Sequence, residues 1–324
     1  MKPAVFVPEP IAPCGMALLE AACDCTAPWA EGKVLTDAEA RELLHGADAV
    51  IVRLFEIGAA DLQQCPRLKV IAKHGVGVDN IDCDAATARG IPVVFTPKAN
   101  ANSVAEHTIG LMLALARSVV PASVALREGR FADRSQFIGV ELAGRTLGIV
   151  GLGRIGSRVA EIASAGLAMR VCGYDPYVAP GSYAGPAERM ASLDELLAVA
   201  DFLTLHVGLT AETRHLLDDR RLARIKPGCR VLNTSRGAVI DESALVRSLE
   251  EGRIAGAALD VFEEEPIATD HPLCGAPNVL LTPHIASSSR ESMDRMATDC
   301  AQGVLDVLQG RTPADIVNPD VVLS

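Results

Sequence analysis

Short apolar runs alternate along this chain with segments whose apolar residues recur at helical spacing. Residues 4–7, 49–52, 68–72 and 92–95 suit buried strands and are too short for helices, while 16–22, 37–45, 59–64 and 84–89 between them read as helices. The alternation resumes at 147–150 and 169–173 and continues through strands at 201–205, 230–233, 255–259 and 279–282. Strands alternating with helices imply a parallel sheet covered on both faces. Residues 100–118 form a helix that is apolar nearly all round past Ile109, and is therefore expected to be buried and to pass between two domains. Ser103 and Glu106 have capping-box spacing at its start. A polar, irregular connection with one helix follows over 118–144, Asp241 caps a helix at 242–251 closed by Gly252, and a last helix at 288–308 carries the chain back. The pattern predicts an α/β chain of two doubly wound domains. Residues 1–98 and 286–324 make the smaller one, and 99–285 are inserted into it.

One stretch adds chemistry to the pattern. After the strand at 147–150, Gly151, Gly153 and Gly156 set G-x-G-x-x-G, with Arg154 and Ile155 between them, across the turn into an amphipathic helix. Gly151 permits the tight turn, Gly153 lets a pyrophosphate approach the backbone, and Gly156 lets helix pack on strand. The helix N-terminus offers N–H groups and a positive dipole end to the phosphates. Asp175 ends the next strand, about 20 residues on, where it can accept the hydroxyls of an adenosine ribose. Strand, glycines, helix, strand and acid in register predict dinucleotide binding. Asp175 also repels a 2′-phosphate, which favours NAD as the cofactor.

Composition narrows the partners. The 324 residues are 49% hydrophobic and 22% charged, with a net charge of −11, which excludes a sequence-independent hold on nucleic acid. Any anionic ligand must instead be met by a few placed cations. Nine cysteines lie without metal-like spacing, and Cys23 and Cys25 are one residue apart, so no metal site is expected. No secretory leader opens the chain and no apolar run reaches membrane-spanning length. Reduced thiols in a cytoplasm are the expectation.

Ligands of an open parallel sheet sit outside the carboxyl ends of its strands. Arg236 follows the strand at 230–233, Glu265 follows 255–259 and His284 follows 279–282. Taken singly, these are an ordinary surface arginine, one of three adjacent acids and a strand-end histidine. Together they supply what hydride transfer between a hydroxy acid and a nicotinamide needs. A guanidinium can hold the carboxylate and polarise the carbonyl, an imidazole can carry the proton, and a carboxylate can orient the imidazole.

Six segments in order carry a family resemblance: KHGVGVDNID at 73–82, NANSVAEHTIGLMLALAR at 100–117, GLGRIGSRVA at 151–160, NTSRGAVIDESAL at 233–245, GAALDVFEEEP at 256–266 and NVLLTPHIASSS at 278–289. The chain resembles the D-isomer-specific 2-hydroxyacid dehydrogenases, most closely their phosphoglycerate dehydrogenase-like branch. The resemblance implies a Rossmann-type NAD-binding domain inserted into a smaller flavodoxin-like substrate domain. It implies Arg236, Glu265 and His284 as the catalytic set, and a substrate carboxylate held by N–H groups around Val76 and Gly77. It further implies that Asp260 contacts the nicotinamide amide, that Val207, Thr234 and Ser235 lie along the cofactor, and that the protein is a homodimer through the helix at 100–118 and the segment after it. The expected substrate is a small anionic 2-hydroxy or 2-oxo acid. The chain ends soon after the returning helix, without the amino-acid-sensing domain of longer phosphoglycerate dehydrogenases, so no serine-type feedback is expected.

Arg53 and Lys73 end two strands of the first domain and match basic residues of phosphoglycerate dehydrogenases, which suggests a second anionic group on a three-carbon substrate. The alternative is that either one pairs with a neighbouring acid, Glu56 or Asp79, and supports its loop. His74 stands where relatives often have a small residue, either lining the pocket or as a plain loop histidine. Two other functions share the motifs. Phosphite dehydrogenases keep the arginine, glutamate and histidine, as do NAD-sensing transcriptional corepressors, although the latter usually carry disordered tails.

Overall fold

A computed structural model describes residues 2–179 and 181–321. The chain divides into two compact units, Met1–Asn100 with Ser288–Ser324, and Ala101–Ser287. In the first unit β1 (Ala4–Phe6), β2 (Asp24–Thr26), β3 (Ala49–Val52), β4 (Val70–Lys73) and β5 (Val93–Val94) form one parallel sheet, in the order β2-β1-β3-β4-β5. The connections run through α1 (Pro13–Ala22), α2 (Asp37–His45), α3 (Ala59–Gln63) and α4 (Cys83–Ala88). Every residue of β3 and β4 is buried, and all of them except Lys73 are apolar. The edge strand β2 has no such run: its sequence is DCT, with no apolar alternation to reveal it.

The second unit opens with α5 (Ala101–Ala116) and α6 (Val119–Arg127). Its α/β alternation then runs β6 (Thr146–Val150), α7 (Arg154–Leu167), β7 (Arg170–Tyr174), β8 (Glu188–Arg189), α8 (Leu193–Val199), β9 (Phe202–Leu205), α9 (Asp219–Leu222), β10 (Arg230–Asn233), α10 (Glu242–Glu250), β11 (Gly256–Leu259), α11 (Pro272–Gly275) and β12 (Val279–Leu281). The seven strands are parallel in the order β12-β11-β10-β9-β6-β7-β8. Strand order reverses between β6 and β9, so the loops leaving these two strands part and leave a crevice, the place where such sheets take a dinucleotide.

Two expectations about α5 change. Ser103 is a buried residue inside the helix rather than its cap, because the helix begins at Ala101; Asn102 donates to Glu106 instead, at 2.5 Å. Nor is α5 covered all round, since Leu113 is 38% exposed. Among the described residues no single helix is long and apolar enough to cross a membrane, and no three or more His, Cys, Asp or Glu side chains cluster to hold a metal ion.

The chain re-enters the first unit through α12 (Arg290–Leu308), which packs Ala297, Cys300, Ala301 and Val304 into the core with Val5 and Leu19. Contact with α1 is closest at Gly15, where a Cβ would fall 2.6 Å from the Ala297 carbonyl oxygen, so the helices meet this way only through glycine.

Both sheets use one device at their amino ends. Asp48, just before β3, accepts the Ala4 N–H at 2.9 Å and the Arg67 guanidinium at 2.7 Å. Asp201, just before β9, accepts the Thr146 N–H at 2.8 Å and the Lys226 ammonium at 2.7 Å. Burial raises the pKa of each carboxyl, but these donors lower it more, and both end below their ordinary value. A carboxylate with a depressed folded pKa stabilises the fold above its unfolded pKa, about 3.9, and loses that contribution as the pH falls through the folded value. Asp201→Asn should therefore cost about 1–3 kcal/mol at pH 7 in urea unfolding. The gap from wild type should close as the pH falls below about 4.

Candidate active site

The glycine turn shows why each glycine is where it is. Gly151 has φ +93°, and a Cβ on it would lie 2.3 Å from the His206 carbonyl oxygen, at the crevice between β6 and β9. A Cβ on Gly156 would lie 1.9 Å from the Gly151 carbonyl oxygen, whereas Gly153 faces open space. Gly153 is the N-cap of α7 and no side chain caps it, so the first amides of a 14-residue helix remain available to phosphate oxygens. Arg154 is exposed beside them and Ile155 packs on the core. Asp175 accepts the Leu152 N–H and the Tyr177 N–H, both at 2.9 Å, which fixes its carboxylate over the turn. These features fit a dinucleotide. A cation absent from the local sequence also reaches this corner: Arg189, on β8, donates to the Asp175 carbonyl at 3.2 Å.

The end of β10 is shaped by Asn233, whose importance was not apparent from sequence. Its side chain accepts from the Ser235 N–H and hydroxyl and donates to the Arg236 carbonyl at 2.8 Å, curling residues 234–236 over the strand end. Thr234 is buried, its hydroxyl 2.9 Å from that of Thr108 on α5, and Val207 lies half-buried beside Gly151. The Arg236 guanidinium donates to the Ser235 carbonyl at 2.8 Å. Next to it, a Cβ on Gly237 would fall 1.8 Å from the Phe262 carbonyl carbon, so the arginine loop and the glutamate loop can touch only at a glycine.

The three adjacent acids separate. Glu263 exchanges backbone-to-carboxylate hydrogen bonds with Glu242, at 2.8 and 3.1 Å, and lies 3.2 Å from His215. Glu264 is exposed. Glu265 accepts the Phe262 N–H at 3.1 Å and brings its other oxygen 2.7 Å from His284 Nδ1. Burial raises the Glu265 pKa, but the hydrogen bond and charge of His284, the Phe262 amide and Arg236 together bring it below the ordinary value. It is therefore a carboxylate at neutral pH, able to favour the imidazolium. His284 sits at φ +51°, a left-handed conformation that costs a non-glycine residue on the order of 1 kcal/mol.

Asp260 directly follows β11. It exposes 0% of its surface and accepts the Thr282 hydroxyl at 2.5 Å, the Ile285 N–H at 2.9 Å and the Ala286 N–H at 2.8 Å. His107 on α5 lies 3.5 Å from the same carboxylate. Burial raises the Asp260 pKa, but the hydrogen bonds from His107, Thr282, Ile285 and Ala286 lower it by more, so it stays ionised.

In the first unit the corresponding crevice, between β1 and β3, is filled by the chain itself. The Glu9 carboxylate accepts the Arg53, Leu54 and Phe55 N–H groups at 2.6, 2.8 and 3.1 Å, and the Arg53 guanidinium donates to the Pro10 carbonyl at 3.1 Å. Lys73 is a buried tie rather than a presented cation: it is 6% exposed and donates to the Arg53 carbonyl and to Asn80 Oδ1. His74 is buried beside it with neither ring nitrogen hydrogen-bonded, and burial, then the nearby Arg53 charge, push its pKa down to about 4. Val76 is exposed and Gly77 half-buried, and no described residue accepts from their amides, which suits a carboxylate site.

Residues 109–286 match the NAD binding domain model of the D-isomer specific 2-hydroxyacid dehydrogenases. The chain is 45% identical over 273 residues to the D-3-phosphoglycerate dehydrogenase of Mycobacterium tuberculosis, covering 84% of this chain and 51% of the relative. It thus spans about half the length of the curated relatives it matches. Among solved structures, the TT0316 protein of Thermus thermophilus superposes with a TM-score of 0.88 at 38% identity, covering 97% of this chain and 99% of that one. The D-lactate dehydrogenase of Aquifex aeolicus, complexed with NAD and lactic acid, gives a TM-score of 0.84 at 30% identity, covering 97% and 99%. The chain belongs to the D-isomer specific 2-hydroxyacid dehydrogenase family and carries its NAD-binding domain.

Asp175 and Arg189 make cofactor choice testable. Wild type should prefer NADH to NADPH. Asp175→Ala removes the like charge while leaving Arg189 in place, so the ratio of kcat/KM values should narrow by about tenfold, the equivalent of one partly screened charge pair. Equal use of both cofactors by wild type would contradict this reading.

Proposed function

We propose that the protein is an NAD-dependent dehydrogenase of small D-2-hydroxy acids and their 2-oxo counterparts. The observation that carries the reading is the 2.7 Å contact of His284 Nδ1 with the Glu265 carboxylate, on loops beside Arg236 in an NAD-binding domain. NADH supplies the hydride. Arg236 meets the substrate carboxylate and polarises the carbonyl, and the Val76 and Gly77 amides are proposed as further donors to the carboxylate. With Nδ1 engaged, His284 presents Nε2 to the carbonyl oxygen, giving a proton in reduction and taking it back in oxidation. Glu265 fixes the tautomer.

The substrate proposed is a three-carbon acid with a second anion, such as a phosphate, met by Arg53. The D-3-phosphoglycerate dehydrogenases among the relatives support this choice, whereas Lys73 adds no support because it is committed to the loop. We also propose a homodimer through α5, α6 and the segment after them as far as Ile138. Leu113, Val120, Val124, Leu126, Phe131 and Ile138 are exposed there, a density of apolar side chains that soluble surfaces seldom leave uncovered.

Four measurements check these readings. His284→Ala should lower kcat for 2-oxo acid reduction by roughly 10²–10⁴-fold with NADH binding nearly intact, and Glu265→Gln should move the optimum for reduction to lower pH, since the imidazolium loses its partner. Wild type should turn over 3-phosphohydroxypyruvate with higher kcat/KM than hydroxypyruvate, and Arg53→Ala should erase that difference; a uniform loss on both substrates would remove the second-anion idea. Val124→Asp should convert the dimer to monomer in light scattering.

A further inference from the structure

Glu265 belongs to a stretch that apolar packing does little to fix. From Glu263 to Asp270 every residue except the half-buried Ile267 is exposed. A segment with so few buried contacts is mobile unless polar ties hold it, yet Glu265 must stay within hydrogen-bond reach of His284. One side chain supplies ties on both sides of it. Glu242, the first residue of α10, is 7% exposed. One of its carboxylate oxygens accepts the Glu263 N–H at 2.8 Å, two residues before Glu265. The other lies 3.3 Å from His271 Nε2, six residues after Glu265. His271 Nδ1 accepts the Leu273 N–H at 3.3 Å, so the ring proton is on Nε2 and is offered to Glu242.

Glu263 returns the bond. One of its oxygens accepts the Glu242 N–H at 3.1 Å, and the other lies 3.2 Å from His215 Nε2. The His215 N–H in turn donates to the Ala238 carbonyl at 2.7 Å, on the loop that follows Arg236. Glu242 itself stands on a nine-residue helix capped by Asp241, a firmer base than the loop it holds. Its place is an unfavourable one for a carboxylate. Burial pushes its pKa above the ordinary value, and the charges of Glu263 and Glu265 add to this, against the Glu263 N–H and His271. A carboxyl group is tolerated there because both of its oxygens have donors.

We propose that Glu242 is a positioning residue for Glu265: from the start of α10 it holds the glutamate loop on both sides of the carboxylate that orients His284. The proposal rests on the role given to Glu265 above.

Glu242→Ala removes both ties. In the intact chain, kcat for reduction of hydroxypyruvate should fall about 10- to 100-fold, as expected when a catalytic group is displaced by about 1 Å. The KM for hydroxypyruvate and the Kd for NADH, read by fluorescence titration, should stay within about threefold. Glu242→Gln keeps an oxygen for the Glu263 N–H and should restore kcat to within about fivefold of wild type. In the Glu265→Gln background, Glu242→Ala should change kcat by less than about threefold, because no carboxylate is left to position. His271→Ala removes only the second tie, from a half-buried residue, and should lower kcat several-fold; it gives the answer if Glu242→Ala does not fold, and an unchanged kcat there would then overturn the proposal. A loss that adds in full to that of Glu265→Gln would also overturn it, since that is what a general loosening of the fold produces. So would equal impairment of Glu242→Gln and Glu242→Ala. Should Glu265→Gln itself keep wild-type kcat, the role of Glu265 fails and this proposal with it. If Glu265→Gln is impaired and Glu242→Ala is not, the positioning role alone fails.

Discussion

The candidate site of this chain depends on the parallel register of β10, β11 and β12. Asn233 pairs with Leu259, and Leu259 with Leu281, so three strands end level and their loops leave side by side. Arg236, Glu265 and His284 lie three, six and three residues beyond those pairing positions, close enough for short loops to bring them together. A one-residue slip in any strand would turn its buried face outward and move its loop by a strand rise of about 3.3 Å, more than a hydrogen bond tolerates. Gly237 is the second half of this constraint. With no Cβ, the arginine loop lies directly on the Phe262–Glu263 backbone.

An acidic protein would be expected to display most of its carboxylates to water. Several here are spent instead on backbone N–H groups. Asp48 and Asp201 gather the amino ends of the two sheets, while Glu9 and Asp260 organise loops at their carboxyl ends. Glu263 and Glu242 clamp each other's backbone next to Glu265. A carboxylate suits this task because it accepts two or more N–H bonds at once and charge strengthens each of them. The cost of burying it is met by donors that would otherwise be orphaned at the strand ends.

Filling the β1/β3 crevice with Glu9 separates the two units in what they offer a ligand. In the first, the amides of Arg53, Leu54 and Phe55 at that crevice are already satisfied by Glu9. In the second, the amides at the start of α7 are left uncapped above a glycine that faces open space. The same fold principle thus gives one closed switch point and one open one, and the difference is a single acidic side chain.

β3 is apolar at every position and β10 has an apolar centre in Val231 and Leu232, so both strands and the glycine turn after β6 could be read directly from the sequence, as could the cap at Asp241 and the trio Arg236, Glu265 and His284 at strand ends. These features are local: run length, turn stereochemistry and capping are set by neighbours in the chain. The edge strands β2 and β8 escaped because edges need no apolar run, and Ser103 misled because its spacing suits a cap while burial draws it inside α5. Which acid of Glu263, Glu264 and Glu265 meets His284, that Lys73 is a buried tie, that Arg189 reaches Asp175, and that Asp260 faces a loop were all decided by tertiary structure. Each depends on groups brought together from positions 7 to 25 residues apart by strand register and loop path, and a linear sequence does not state the direction in which a side chain points once the strands have paired.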